Sequence, residues 1–346
     1  MNIEEFDFYL PDDLIAHEPI KERDKCRLLV VNREDGTFNE EIFRNIVDYL
    51  NEGDVLVLNN SKVIKSRIYP YCRRNKKNFE VLVTNFLDEN TFTALVKNIR
   101  RLRVGDILEL GNFEFSFQGI LDGLGIFKSN KKFTTKELNE IGQIPLPPYI
   151  ERKREKIGLP KVNEEDEVFY QTVYSSIYGS IASPTAGLHF TEELLEEVSR
   201  KGVIIKYITL HVGLGTFEPV RTQNVEEFKL KGEYMEVNQD VVDSIFGAKK
   251  RGNKVVAVGT TVVRALETVF SQNEVKEYKS ITDIFIYPGY QFKVVDAIVT
   301  NFHLPKSSLI LLVAAFAGKD LIMKAYNFAI DKRFRFYSYG DAMLIV

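Results

Sequence analysis

From residue 165 to the C-terminus, capped helical segments alternate with short β-branched runs. A chain written this way buries its apolar residues as a sheet covered by helices. Thr191 stands as an N-cap ahead of Glu192 and Glu193, which places acids at the positive end of a helix that Gly202 closes. Val203 to Val212 then reads as a strand delivering His211 at its end. Asn238 caps a second helix closed by Gly252, Lys254 to Val258 is a strand, and a Gly259-Thr260-Thr261 turn opens another helix. Asp283 to Tyr287 and Ala297 to Thr300 read as further strands, and helices follow around 306–317 and 320–331.

The first 64 residues join this pattern. Arg27 to Val31 and Val55 to Leu58 are buried-strand runs. Between them, Glu40 to Leu50 carries helical spacing at Ile42, Ile46, Val47 and Leu50. Residues 65–150 differ. Five short β-rich runs, from FEVLVTNF to GIFKS, are separated by turns with Gly, Asp or Asn, which predicts a small antiparallel barrel. The expected fold class is therefore mixed α/β (α+β). Residues 1–64 and 151–346 would form the main α/β domain, and 65–150 an inserted β-barrel domain.

Charge separates along the chain in the same place. Residues 65–160 hold 18 Lys+Arg against 11 Asp+Glu, while the remainder holds 28 against 38. Such asymmetry points either to a localised polyanion-facing surface or to a solvated basic face. Cys26 and Cys72 form no CxxC pair, so a disulfide framework is not expected. The acidic N-terminus does not read as a signal peptide, and the longest apolar run, Leu309 to Ala317, is too short to span a bilayer. A cytoplasmic, membrane-free protein is expected.

Histidine is scarce, at positions 17, 189, 211 and 303. Three of the four sit beside Gly, Thr, Asn or Pro at loops or strand ends, where α/β sheets bind ligands. They are candidates for general acid/base work, weighed against ordinary hydrogen-bonded structural histidines. No two share metal-ligand spacing on one element. Gly213-Leu-Gly215-Thr216 and Gly259-Thr260-Thr261 are turns able to offer backbone N–H groups to a carboxylate or nucleotide, though neither matches GxGxxG. Phe334 to Asp341 groups aromatics, a cation and a carboxylate, either as core filling or as a platform for a ligand cation or base.

Nine segments together resemble the ribosyltransferase-isomerase family of queuosine biosynthesis. The longest motifs are SPTAGLHFT (183–191), HVGLGTF (211–217), TNFHLPKS (300–307) and YSYGDAM (337–343), in family order. The sequence departs from the family pattern at FKLKGEYME, where Phe228 and Lys231 stand at positions often occupied by histidine, and mildly at Cys26 and Val262.

The resemblance implies that S-adenosylmethionine donates its ribosyl part to 7-aminomethyl-7-deazaguanine in the anticodon loop of a tRNA with a GUN anticodon. Adenine and methionine would leave, and no metal would be needed. It points to His189, His211 and His303 for proton transfer, with Glu233 and Asp341 behind them. Thr185, Gly187, Gly213, Gly215, Thr216, Thr260 and Thr261 would form the donor pocket, and Arg264 would pair with the methionine carboxylate. Arg73, Arg74, Lys76, Lys77, Arg100, Arg101 and Arg103 would meet tRNA phosphates. A monomer is expected. A methyltransferase using the same donor and a non-catalytic RNA-binding module are the rival readings.

Overall fold

The β-branched runs do pair into one sheet. The computed structural model describes residues 1–213 and 219–346. Two compact units form, one from Met1–Lys62, Pro147–Ile177 and Ser183–Val346, the other from Val63–Leu146 and Tyr178–Ala182. The chain is mixed α+β, with two large sheets.

In the first unit, nine strands pair among the described residues. They are β1 (Arg27–Val31), β2 (Phe38–Ile42), β3 (Val55–Asn59), β4 (Ile204–Leu210), β5 (Glu233–Val237), β6 (Val255–Val258), β7 (Tyr278–Thr282), β8 (Ala297–Asn301) and β9 (Ala342–Ile345), in the order β7-β5-β4-β3-β6-β8-β9-β1-β2. The central strands β4, β3, β6 and β8 are parallel. β9 runs antiparallel to β8 and carries β1 parallel to itself. The continuous apolar character of β3, β6 and β8 follows, since both faces are covered. Leu28, Val30, Leu56, Leu58, Val256, Val258 and Val299 point to one face. There they pack with Phe43, Phe190 and helix α3 (Glu192–Arg200). Helices α4 (Gln239–Arg251) and α5 (Thr260–Phe270) pack on the sheet as well, followed in the chain by α6 (Ser308–Ala317) and α7 (Lys319–Asp331). Thr191 accepts a hydrogen bond from the Leu194 N–H, and Gly252 ends α4 at φ 80°, a conformation that favours glycine.

Two short helices, α1 (Pro148–Lys156) and α2 (Glu164–Phe169), join through a buried pair. Both terminal nitrogens of Arg154 donate to Asp166, at 2.6 and 2.9 Å, and the Tyr339 hydroxyl donates to the same carboxylate at 2.8 Å. One residue of the basic run ERKREK is thus a fully buried tie holding the loop ahead of β9.

Two expectations are corrected. Residues 38–42 are a strand on the edge of the sheet, paired with Arg27–Val31, and Phe43–Tyr49 is a 3₁₀ helix. Phe43 and Ile46, three apart, are its buried residues, and i, i+3 is the period of that helix. The last edge strand is Tyr278–Thr282, not 283–287. The carbonyls of Thr282 and Ile284 accept hydrogen bonds from the Arg264 guanidinium.

The second unit holds an eight-stranded antiparallel sheet curled into a half-barrel. Its order begins at Arg67–Ile68, passes through the hairpin strands Val81–Phe86, Thr91–Val96, Leu124–Ser129 and Phe113–Leu121, and ends at Lys77–Asn78. Phe92, Phe113, Phe115, Phe117, Phe127 and Phe133 fill its concave side with Leu138 of the helix Thr135–Ile141. β-Bulges at Phe117/Gly119 and Val83/Asn85 mark the curl, as bulges increase local twist.

Candidate active site

Because β4, β3, β6 and β8 are parallel, the segments that follow them emerge along one edge of the sheet. β9 runs the other way, so the residues that precede it arrive at that edge too. A cleft opens here. Ser183 to Ala186, Val212, Gly259 to Thr261, Thr300 to Leu304, Ser307, and Tyr337 with Ser338 contribute to its lining. Hydroxyls make up most of its polar side chains, with the Asn301 amide and the His303 imidazole. Among the described residues it contains no Asp, Glu, Lys or Arg.

Backbone order at this edge comes from buried polar side chains. The Asn59 amide copies a peptide group between β3 and β4: Nδ2 donates to the Leu210 carbonyl at 2.9 Å, and Oδ1 accepts from the Leu210 N–H at 3.0 Å. His303 is buried, and its Nε2 lies 2.8 Å from Thr300 Oγ1. Its backbone N–H donates to the Tyr326 hydroxyl at 2.9 Å. Burial pushes its imidazole down to about 3, so it is neutral.

His189 is also buried and also pushed down to about 3, by burial first and then by Arg23 and Arg335. Its Nδ1 lies 3.1 Å from Cys26 Sγ and its Nε2 3.0 Å from Asn301 Nδ2. It lines a smaller neighbouring cavity with Arg23, Cys26 and Tyr339 rather than the cleft. His211 is half-buried at the end of β4 and stacks on Tyr234 with ring centroids 5.5 Å apart. Its Nδ1 has no hydrogen-bond partner among the described residues, and burial lowers its imidazole while Glu236 opposes the shift.

The other expected site residues divide. Thr185, Thr260 and Thr261 line the cleft. Gly187 does not: a Cβ there would stand 2.0 Å from the Tyr174 hydroxyl, so this glycine permits a close approach in the core. Gly213 donates its N–H to Glu233 at 2.7 Å. Gly215 and Thr216 lie outside the described residues. Arg264 is buried, ion-paired with Glu233, and holds the Ile284 and Thr282 carbonyls. It lines a separate cavity with Leu230 and Phe285. Asp341 accepts the backbone N–H groups of Arg27 and Arg335, at 3.1 and 2.7 Å, and burial raises its carboxyl.

In the second unit, Arg73 pairs with Glu109 and Glu114, and Arg74 with Asp106. Lys77 lies over the Phe79 ring. Lys76, Arg100, Arg101 and Arg103 are exposed and make no ion pair among the described residues.

Asn301, Ser183 and Tyr149 were not among the expected site residues, yet all line the cleft. Asn301 and Ser183 lie within the motifs TNFHLPKS and SPTAGLHFT, which was a signal available in the sequence. Tyr149 packs edge-on against Tyr337 at 4.8 Å and bonds Ser338, and no motif marks it. Tyr337 holds a φ of 74°, rare for an aromatic residue and typical of constrained sites.

No helix among the described residues is long and apolar enough to cross a membrane. Residues 3–345 match the family described as queuosine biosynthesis protein. An S-adenosylmethionine:tRNA ribosyltransferase-isomerase of Sulfurihydrogenibium sp. is 48% identical over the full length of both chains, and one of Halothermothrix orenii is 46% identical, again over both full lengths. The crystal structure of S-adenosylmethionine tRNA ribosyltransferase from Thermotoga maritima is 38% identical, covering 99% of this chain and 100% of that one, with a TM-score of 0.57. Its motifs, its cleft and these full-length likenesses agree: the chain belongs to the queuosine biosynthesis protein family.

Proposed function

We propose that this chain is an S-adenosylmethionine:tRNA ribosyltransferase-isomerase, a transferase of queuosine biosynthesis. It moves the ribosyl part of S-adenosylmethionine onto 7-aminomethyl-7-deazaguanine at the wobble position of a GUN-anticodon tRNA. Adenine and methionine are released, and the ribosyl carbons rearrange to epoxyqueuosine. One observation carries this reading: segments far apart in sequence, SPTAGLHFT, GTT at 259–261, TNFHLPKS and YSYGDAM, meet in a single cleft.

Proton transfer is needed at the carbon beside the sulfonium, at the departing adenine and at the attacking amine. His303 lines the cleft, and His211 stands beside the cleft residue Val212 with an Nδ1 that has no hydrogen-bond partner among the described residues. These two are the proton carriers in this reading. Glu233, Arg264 and Asp341 hold the surrounding backbone, their polar atoms being engaged within the protein. Thr185, Thr260 and Thr261 meet the donor through hydroxyl and backbone groups. Residues 65–150 act as an inserted domain whose Arg73, Arg74, Lys76, Lys77, Arg100, Arg101 and Arg103 meet the phosphates of the anticodon stem-loop. The enzyme works without a metal, as a cytoplasmic monomer.

Adenine release tests the proposal. The protein is mixed with S-adenosylmethionine and tRNA carrying the aminomethyl base, with unmodified tRNA as control. Adenine and methionine appearing together, and only with the modified tRNA, is the expected result. S-adenosylhomocysteine instead of adenine would mean methyl transfer, and tRNA binding with no product would mean a binding role.

A further inference from the structure

Four side chains from distant parts of the first unit form one hydrogen-bonded line: Cys26, His189, Asn301 and Thr185. The separations along it are 3.1 Å from Cys26 Sγ to His189 Nδ1, 3.0 Å from His189 Nε2 to Asn301 Nδ2, and 2.8 Å from Asn301 Oδ1 to Thr185 Oγ1. Cys26, His189 and Asn301 are buried, and only Asn301 and Thr185 reach the cleft.

Such a line has two possible polarities, because both an amide and an imidazole can be turned over. A backbone carbonyl chooses between them. Asn301 Nδ2 also faces the carbonyl oxygen of Asp341, at 3.5 Å. That contact is long, but a carbonyl only accepts, so the amide nitrogen is the atom on that side. Asn301 therefore donates to His189 Nε2, which must be unprotonated. The ring proton then sits on Nδ1 and points at Cys26 Sγ. At the other end, Asn301 Oδ1 accepts, so the Thr185 hydroxyl must donate into the protein. Its oxygen keeps only lone pairs for the cleft.

We propose that His189 is a positioning residue which, through Asn301, holds the Thr185 hydroxyl as an obligate acceptor for an N–H or O–H of S-adenosylmethionine. The donor's ammonium, ribose hydroxyls and adenine amino group are all of that class. The ligand part of the proposal rests on the reading of the cleft given above. For His189 to take a proton at Nε2 it would have to expel the Asn301 amide, and its Nδ1 already holds a proton. Its ring packs against Phe43 at 5.1 Å, which resists reorientation. Asn301 thereby acquires a role that its position in the motif alone does not specify.

Three readouts test this. In ¹⁵N spectra of histidine-labelled protein, His189 shows a protonated Nδ1 and an unprotonated, hydrogen-bonded Nε2; a protonated Nε2 overturns the proposal. Glutamine places an amide oxygen near the position of Nε2 and cannot carry a proton. Adenine release by His189→Gln therefore stays within roughly tenfold of wild type, while His189→Ala falls further. Folded His189→Gln that is as inactive as folded His189→Ala overturns it. Calorimetry with S-adenosylmethionine alone supplies the third: Thr185→Val weakens binding by roughly tenfold, and Thr185→Ser restores it. Unchanged affinity in Thr185→Val overturns the ligand assignment. If wild-type protein binds no S-adenosylmethionine, the reading of the cleft fails together with that assignment, and the tautomer result stands apart from both.

Discussion

The Arg264 guanidinium is ion-paired with the Glu233 carboxylate inside the fold, both side chains about 95% buried. The pair joins α5 to β5, and the carboxylate also receives the Gly213 N–H. Removing one partner strands a charge in the interior, which costs about 3–5 kcal/mol. Arg264→Ala and Glu233→Gln should each lose about this much in urea unfolding, and the double variant should lose much less than the sum. Additive losses would show that the two residues do not act as a pair.

Gly187 is expected to tolerate no side chain. Gly187→Ala should destabilise by about 1–3 kcal/mol through overpacking against the Tyr174 hydroxyl. Adding Tyr174→Phe removes the nearest atom the new methyl meets and should recover part of the loss in thermal unfolding, since Thr172 Cγ2 at 3.0 Å and the ring carbon Cζ at 3.1 Å remain. A Gly187→Ala protein as stable as wild type would refute the close approach.

Two buried histidines predict an acid-side loss of stability. His189 and His303 are pushed down from 6.5 to about 3, mainly by burial. Below about 6.5 the unfolded chain takes up protons that the folded chain refuses. Their contribution is complete above that pH and falls as pH drops toward 3, by about 1.4 kcal/mol per pH unit for each histidine. Unfolding midpoints measured between pH 7.5 and 4.5 should decline, and His303→Gln should flatten the slope. An unchanged slope would mean that His303 protonates freely in the fold.

On the proposed tRNA face, unpaired and paired arginines should behave differently. Arg100→Glu and Arg101→Glu should each reduce the slope of log affinity against log salt by about 0.7–0.9, one phosphate contact apiece. Arg73→Glu should change it less, since Glu109 and Glu114 already hold that side chain. Equal slopes in wild type and in the Arg100 and Arg101 variants, from 50 to 200 mM salt, would remove these two residues from the docking surface.

His303→Ala should lower the rate of adenine release by about 10²-fold or more, the usual effect of losing a group that moves a proton. His211→Ala should do the same. Normal turnover in either folded variant would strike that histidine from the mechanism.

Strands at Arg27, Val55, Val255 and Ala297 were legible because both sides of a covered sheet must be apolar, and the chain writes that requirement locally. Caps such as Thr191 and Gly252 were legible for the same reason, since a helix end is satisfied by its immediate neighbours. Edge elements were less so. Phe38–Ile42 is half exposed, and its pairing with β1 outweighs the helical spacing of its side chains. The histidines and threonines of the candidate site could be named from motifs, but their tasks could not. Whether His189 faces a cleft or a wall depends on Asn301, 112 positions later, and on the carbonyl of Asp341. Arg264 reads as a free fork until Glu233 arrives from another strand. Local pattern determined the elements and their order, because propensity and periodicity act between near neighbours. The polarity and charge of the site were decided only by the tertiary structure, because buried polar atoms must find partners wherever the topology brings them.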